Sequence, residues 1–314
     1  MTTTIPFAAR LSGAETKAWL KALQEGLPNY NVLPLEALTM EQQSSAQVAI
    51  VANPSPASLD RLPNLKWVQS LWAGVEQLVF DMQDRDFTIV RMVDPQLAKT
   101  MSEAVLAWTL YLHRDMPRYR KQQSSGTWQQ HPLKLPAEQT VGILGLGNLG
   151  RLAARKLHSQ GFDVCGWSRS NTSIEGVTTF CGADGFTDML QRTNILVCLL
   201  PLTKTTRGLI DKKALASMPK GASLINFARG PIVEIDALLQ SLDSSQLSHA
   251  VLNVFDKEPL PPTSQLWAHP KITVLPHISA PTNKQTASQI VADNISTFFQ
   301  TGSIPVGINK TLGY

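Results

Sequence analysis

Short apolar runs rich in β-branched residues alternate with longer amphipathic stretches almost from one end of the chain to the other, and this alternation restricts the fold more than any other feature. Parallel strands need a crossover of a dozen or more residues, usually a helix, so the pattern implies an α/β architecture of doubly wound parallel sheets. In the first third of the chain the candidate strands are 3–7, 31–35, 47–51, 67–70 and 88–90, with helices such as 13–25 between them. A long helix is predicted from Pro95 to about Gln123: Asp94 suits the N-cap, Pro95 the first helical position, and Leu97, Met101, Val105, Trp108 and Leu112 form one apolar face. A polar, Pro-containing linker (124–138) leads to a second series of strands at 140–145, 162–167, 177–180, 195–200, 223–227, 250–254 and 272–275. The last amphipathic segment, about 283–300, is left over once that sheet is complete and is expected to pack on the first domain. With 314 residues, more than one core usually serves, two domains are expected: 1–99 joined by 283–314, and 100–282.

The second series opens with Val141-Gly142-Ile143-Leu144 running into Gly145-Leu146-Gly147-Asn148-Leu149-Gly150, and 151–160 continues as a helix. G-x-G-x-x-G is a weak signal alone; between a strand and a helix it marks a dinucleotide-binding turn. Gly145 serves the tight turn, Gly147 lets a pyrophosphate approach the backbone, and Gly150 lets the helix pack closely on the strand. The N-terminus of that helix, at Asn148, Leu149 and Gly150, then offers N–H donors and a partial positive charge to phosphates. The bland alternative is a glycine-rich turn with no ligand.

The strand predicted at 162–167 ends where an NAD-preferring site carries an acidic residue for the ribose hydroxyls, about 20 residues beyond the glycines. Here the residues are Ser168-Arg169-Ser170. A guanidinium flanked by hydroxyls suits a phosphate dianion, so NADP(H) is favoured over NAD(H). The alternative is a solvated surface arginine.

Three ionisable residues, distant in sequence, each follow a later strand: Arg229 in Asn226-Phe227-Ala228-Arg229-Gly230, Glu258 in Phe255-Asp256-Lys257-Glu258-Pro259-Leu260-Pro261, and His277 in Pro276-His277-Ile278-Ser279-Ala280. Ligands of open parallel sheets bind beyond the carboxyl ends of the strands, where all three can converge. Taken singly, each also has an ordinary explanation as a strand-end cap, a solvated acid or a loop histidine. His113, His131, His158, His249 and His269 are read that way, as exposed or packing residues. No H-x-x-x-H pair with an adjacent acid occurs, so no catalytic metal is indicated.

Jointly, these features resemble the D-isomer-specific 2-hydroxyacid dehydrogenase family over essentially the whole length, with the bacterial glyoxylate/hydroxypyruvate reductase A branch most similar. Besides the motifs above, the resemblance rests on Leu199-Leu200-Pro201-Leu202-Thr203, Leu266-Trp267 before His269-Pro270, and Leu71-Trp72-Ala73-Gly74-Val75. It implies a flavodoxin-like substrate domain and a Rossmann domain around a cleft, and NADPH-dependent reduction of a small 2-keto acid such as glyoxylate or hydroxypyruvate. It implies that Arg229, Glu258 and His277 form the catalytic triad and that the amides of Ala73 and Gly74, beside Trp72, hold the substrate carboxylate. Cofactor contacts are implied at Leu200, Pro201, Thr205, Phe227, Ala228, Asn253 and His277 as well as at the glycine turn. A homodimer, with the helix at 94–123 in its interface, is implied too.

The chemistry agrees with those roles. Reduction of a 2-keto acid needs a cation for the carboxylate and the polarised carbonyl, which Arg229 supplies, and a proton donor beside the carbonyl oxygen. His277 is that donor, and a carboxylate at Glu258 favours its protonated form. Two departures stand out. Asn253 occupies a position where the family commonly has an aspartate expected to touch the nicotinamide carboxamide, and Ile278-Ser279-Ala280 replaces a commoner Gly-rich sequence after the histidine. Trp72 either keeps the pocket small or packs. Larger keto acids, and a corepressor-like protein that binds dinucleotide without chemistry, stay open as alternatives.

Composition excludes other classes. The hydrophobic fraction of 43% supports sizeable cores, and a net charge of +4 with scattered basic residues indicates neither a nucleic-acid surface nor an anionic-membrane surface. Cys165, Cys181 and Cys198 form no C-x-x-C pair and read as buried, reduced packing thiols. Residues 1–10 lack a signal-peptide pattern and no apolar stretch approaches the ~20 residues that span a bilayer, so a cytoplasmic protein is expected.

Overall fold

The computed structural model describes residues 2–310 and divides into two compact units, 1–97 with 282–314 and 98–281. In the first unit, β1 (Thr4–Ala9), β2 (Asn31–Pro34), β3 (Val48–Ala52), β4 (Trp67–Ser70) and β5 (Thr88–Val90) form a parallel sheet of order β2-β1-β3-β4-β5. Every residue of β3 and β4 is buried, as expected of central strands covered on both faces. Helices Gly13–Gly26 and Lys284–Thr301 share a core with the sheet through Trp19, Leu23, Val291, Ile295 and Phe298. The Lys284–Thr301 helix starts at Asn283, whose side chain accepts from the N–H groups of Gln285 and Thr286, the usual way of satisfying orphan donors at a helix start.

The second unit carries β6 (Thr140–Leu144), β7 (Asp163–Ser168), β8 (Thr178–Cys181), β9 (Ile195–Cys198), β10 (Ala222–Asn226), β11 (Leu247–Leu252) and β12 (Ile272–Val274), all parallel in the order β12-β11-β10-β9-β6-β7-β8. The chain starts in the middle, at β6, builds outward to β8, then returns to β9 on the other side. This is the Rossmann arrangement, and the reversal between β6 and β9 opens a crevice at the carboxyl ends of the strands. The glycine turn and the segments that follow β7, β9, β10, β11 and β12 all leave the sheet at those ends.

Several expectations are corrected. The long helix is broken into Pro95–His113 and Met116–Ser124, with Asp115 between them in the left-handed region at φ 55°. Pro117 explains the break, because its ring and missing N–H cannot continue a helix through the preceding turn. β11 starts at Leu247 instead of Ala250, since its polar residues find lateral partners: Ser248 Oγ lies 2.7 Å from Ser223 Oγ and His249 Nε2 lies 2.9 Å from Thr273 Oγ1. Cys165 and Cys198 are buried, but Cys181, at the end of edge strand β8, is exposed. Among the described residues, no helix is long and apolar enough to cross a membrane.

Candidate active site

After β6 the chain turns at Gly145, whose φ of 99° lies in the region open to glycine. A β-carbon there would stand 3.0 Å from the carbonyl oxygen of Leu199, so the turn passes directly over the end of β9. A β-carbon on Gly150 would overlap the Gly145 carbonyl oxygen and lie 2.9 Å from its carbon, which is why the helix can start so close to the strand. Gly147 is different: it is exposed, and nothing lies within 4 Å of where its β-carbon would be. No side chain caps helix Asn148–Ser159, which starts there. Open space over uncapped helix N–H groups fits the pyrophosphate of a dinucleotide.

β7 is tied to this turn by the Gly145 N–H, which donates to the Trp167 carbonyl at 2.9 Å. Beyond it, Arg169 and Ser170 are exposed, and the Ser168 hydroxyl donates to the Ser170 carbonyl at 2.6 Å. One of the two flanking hydroxyls therefore uses its proton to shape the loop. Beyond β9, Leu200 is buried and Pro201 is half-buried, its carbonyl accepting from Thr206 Oγ1 at 2.7 Å, while Thr205 is exposed.

β10 ends at Asn226, which is 1% exposed and bonds in two directions. Its Oδ1 accepts from the Ala228 N–H and its Nδ2 donates to the Arg229 carbonyl, both at 3.1 Å. Phe227 and Ala228 are buried, Arg229 is half-buried, and its Nη1 donates to the Ala228 carbonyl at 2.6 Å. A β-carbon on Gly230 would overlap the backbone of Phe255 and Asp256. Glycine there lets the Arg229 loop lie flat against the loop that leads to Glu258.

Glu258 and His277, 19 residues apart in sequence, are adjacent: His277 Nδ1 lies 2.7 Å from Glu258 Oε2. The other carboxylate oxygen, Oε1, accepts from the Phe255 N–H at 2.9 Å, so both oxygens are oriented. With Nδ1 as the donor to Glu258, the imidazole presents Nε2 for proton exchange, and among the described residues Nε2 has no hydrogen-bond partner. Both residues are exposed. Asn253, 2% exposed, uses its Oδ1 to accept from the N–H groups of Ile278 and Ser279 at 2.7 and 3.2 Å.

In the first unit, the segment after β4 is shaped by Ser70, whose Oγ accepts from the Trp72 N–H at 3.0 Å. Among the described residues, the amides of Ala73 and Gly74 donate to no protein acceptor. Trp72 packs edge-on against Trp19, ring centroids 5.9 Å apart, and its Nε1 is buried without a partner. Its indole is thus part of the core of that unit.

Asn226 and Gly230 carry no role in the sequence reading. The only local signal is an asparagine closing an otherwise apolar strand shortly before Arg-Gly, which hydropathy alone does not flag. Burial pushes the thiols of Cys165 and Cys198 up to about 11 and about 12, which makes them inert packing groups. Burial, and secondarily His269, lowers His249 to about 4. Among the described residues no cluster of His, Cys, Asp or Glu has the makings of a metal site.

Comparison with known proteins bears on this geometry. A family model described as D-isomer specific 2-hydroxyacid dehydrogenase, NAD binding domain, matches residues 106–279. A D-isomer specific 2-hydroxyacid dehydrogenase from Xanthobacter autotrophicus Py2, solved with NADPH and MES, is 35% identical with a TM-score of 0.93, covering 100% of both chains. An NADPH-dependent glyoxylate/hydroxypyruvate reductase from Sinorhizobium meliloti, solved with NADP and sulfate, is 34% identical with a TM-score of 0.91, over 99% of this chain and 100% of that one. A probable 2-hydroxyacid dehydrogenase from Rhizobium etli CFN 42, solved with NADP, HEPES and L(+)-tartaric acid, is 30% identical with a TM-score of 0.90, over 99% of each chain.

Proposed function

The chain belongs to the D-isomer-specific 2-hydroxyacid dehydrogenase family and is an NAD(P)-dependent oxidoreductase, and from this premise we propose that it reduces small 2-keto acids, glyoxylate and hydroxypyruvate foremost, with NADPH in preference to NADH. The observation that carries the proposal is the His277–Glu258 pair at 2.7 Å with Glu258 fixed by the Phe255 N–H. A carboxylate on Nδ1 holds the ring in place and directs Nε2, which in the protonated ring delivers a proton to the carbonyl oxygen as it gains charge. Arg229 is the cation for the keto acid, and the amides of Ala73 and Gly74 receive its carboxylate. When bound, the nicotinamide supplies the hydride that reaches C2.

In this reading 100–282 is the dinucleotide-binding domain and 1–99 with 283–314 the substrate domain. Gly145, Gly147, Asn148, Leu149 and Gly150 cradle the pyrophosphate, and Arg169, with Ser170 beside it and Ser168 shaping the loop, takes the 2′-phosphate. Leu200, Pro201, Thr205, Phe227 and Ala228 line the remainder of the cofactor site. The similarity to structures solved with NADPH or NADP supports the cofactor preference. The protein acts in the cytoplasm as a homodimer, for which exposed Leu110, Met116, Trp128, Leu133 and Leu135 supply apolar surface. Sedimentation of the purified protein checks the dimer.

A panel of 2-keto acids, each assayed with NADPH and with NADH by the absorbance of the reduced nicotinamide, tests the activity. The highest kcat/KM is expected for two- and three-carbon acids with NADPH. No oxidation of bound NADPH by any keto acid would contradict the proposal.

A further inference from the structure

His277 is, among the described residues, one of four non-glycine residues with positive φ, at 51°. A residue with a β-carbon stays in that region only where its surroundings over-determine it. Four hydrogen bonds do so here, and three of them end on one residue. The His277 N–H donates to the Asn253 carbonyl at 3.1 Å and to the Leu275 carbonyl at 3.0 Å. The next two amides, of Ile278 and Ser279, both donate to Asn253 Oδ1. Two N–H donors on one atom identify it as the carbonyl end of the carboxamide. Asn253 in turn donates its own N–H to the Asn226 carbonyl at 3.1 Å, and Asn226 is the side chain that holds the Arg229 loop. Two buried asparagines at the ends of neighbouring strands β10 and β11 thus bind the Arg229 and His277 loops into one framework.

We propose that Asn253 is a positioning residue for the reaction: through Oδ1 it sets the left-handed backbone of His277 and, with it, the direction in which the imidazole meets the reacting carbonyl. This rests on the acid–base role given to His277 above. An amide suits the task because its carbonyl accepts at every pH and does not titrate, while its other end, Nδ2, can only donate. An aspartate keeps the acceptor and loses the donor. An apolar residue of similar size loses both and strands two amides.

That difference separates positioning from direct cofactor binding. The full-length protein, its Asn253→Leu and its Asn253→Asp variants are compared for kcat with the best keto acid, for NADPH Kd by nicotinamide fluorescence, and for hydrogen exchange at the Ile278 and Ser279 amides. Displacing a catalytic group by about 1 Å can cost about 100-fold, so Asn253→Leu is expected to lose kcat on that scale, with NADPH Kd within about threefold and exchange at both amides accelerated. Asn253→Asp is expected to recover to within about tenfold of the parent, with exchange still slow. The proposal is overturned if Asn253→Asp is as impaired as Asn253→Leu, or if Kd rises in step with the loss of kcat, since either assigns the residue to the cofactor through Nδ2. Should Asn253→Leu not fold, Asn253→Thr replaces it; an intermediate loss supports the proposal and parental turnover overturns it. If the parent itself reduces no keto acid, the functional reading fails, and unchanged exchange at Ile278 and Ser279 in the variants would overturn the positioning claim separately.

Discussion

Alanine at Gly147 and alanine at Gly150 are chemically the same change three residues apart, and the geometry predicts opposite consequences. At Gly150 the new methyl overlaps the Gly145 carbonyl oxygen, so the helix start must move off the strand. Overpacking of this kind costs about 1–3 kcal/mol, partly offset by the gain of up to about 1 kcal/mol when alanine replaces a helical glycine. A net loss of about 1–2 kcal/mol lowers Tm by roughly 2–8 °C for a unit of this size. At Gly147 the methyl enters open space, and the backbone angles, φ −73° and ψ −164°, are ones alanine adopts freely. Stability should change by less than about 0.5 kcal/mol. The open space is, however, where a pyrophosphate approaches the helix N–H groups. Losing two charge-assisted hydrogen bonds at about 1.5 kcal/mol each raises the NADPH Kd about 100-fold. Thermal melts and fluorescence titration with NADPH read both quantities on the same samples. Parental NADPH affinity in Gly147→Ala, or a Tm loss there as large as in Gly150→Ala, would refute the assignment of this turn to the pyrophosphate.

Two further predictions concern charge. Arg169→Ala is expected to weaken NADPH by about tenfold or more while leaving NADH within about twofold, because only NADPH has a 2′-phosphate for the guanidinium to bind; equal effects on the two cofactors in parallel titrations would remove Arg169 from the 2′-phosphate site. His249 titrates at about 4 in the fold against roughly 6.5 when unfolded, so between these values the unfolded chain binds the extra proton and stability falls as pH falls. The full effect, reached near pH 4, is about 3 kcal/mol. Urea midpoints at pH 7 and pH 4.5 should show His249→Phe losing less stability on acidification than the parent, and identical slopes would count against this burial effect.

What is legible in the sequence follows from how locally each feature is encoded. The Gly145 turn can be read because a left-handed φ and a close approach demand glycine at fixed spacing. Arg229, Glu258 and His277 can be singled out because each follows a strand, and a parallel sheet gathers all carboxyl ends at one edge. The separation of 19 residues between Glu258 and His277 closes to 2.7 Å through topology alone. By contrast, Asp115 reads as helix interior because the apolar face continues across it, although Pro117 two residues later opposes an unbroken helix. The start of β11 is hidden because Ser248 and His249 look like loop residues until Ser223 and Thr273 are known to stand beside them. Asn253 stands out as a departure from the family pattern, but its bonds to Ile278 and Ser279 depend on β11 and the loop after β12 being neighbours, which no single segment encodes.

The most direct test of the proposed reaction follows one atom. The protein is given glyoxylate and NADPH with both hydrogens at C4 of the nicotinamide replaced by deuterium, and the product is examined by mass spectrometry and NMR for both the parent and His277→Ala. Deuterium at C2 of glycolate is expected from the parent, and from His277→Ala little product despite parental affinity for NADPH. Glycolate without the label, or a His277→Ala protein that labels it as fast as the parent, would contradict hydride transfer with His277 as the proton donor.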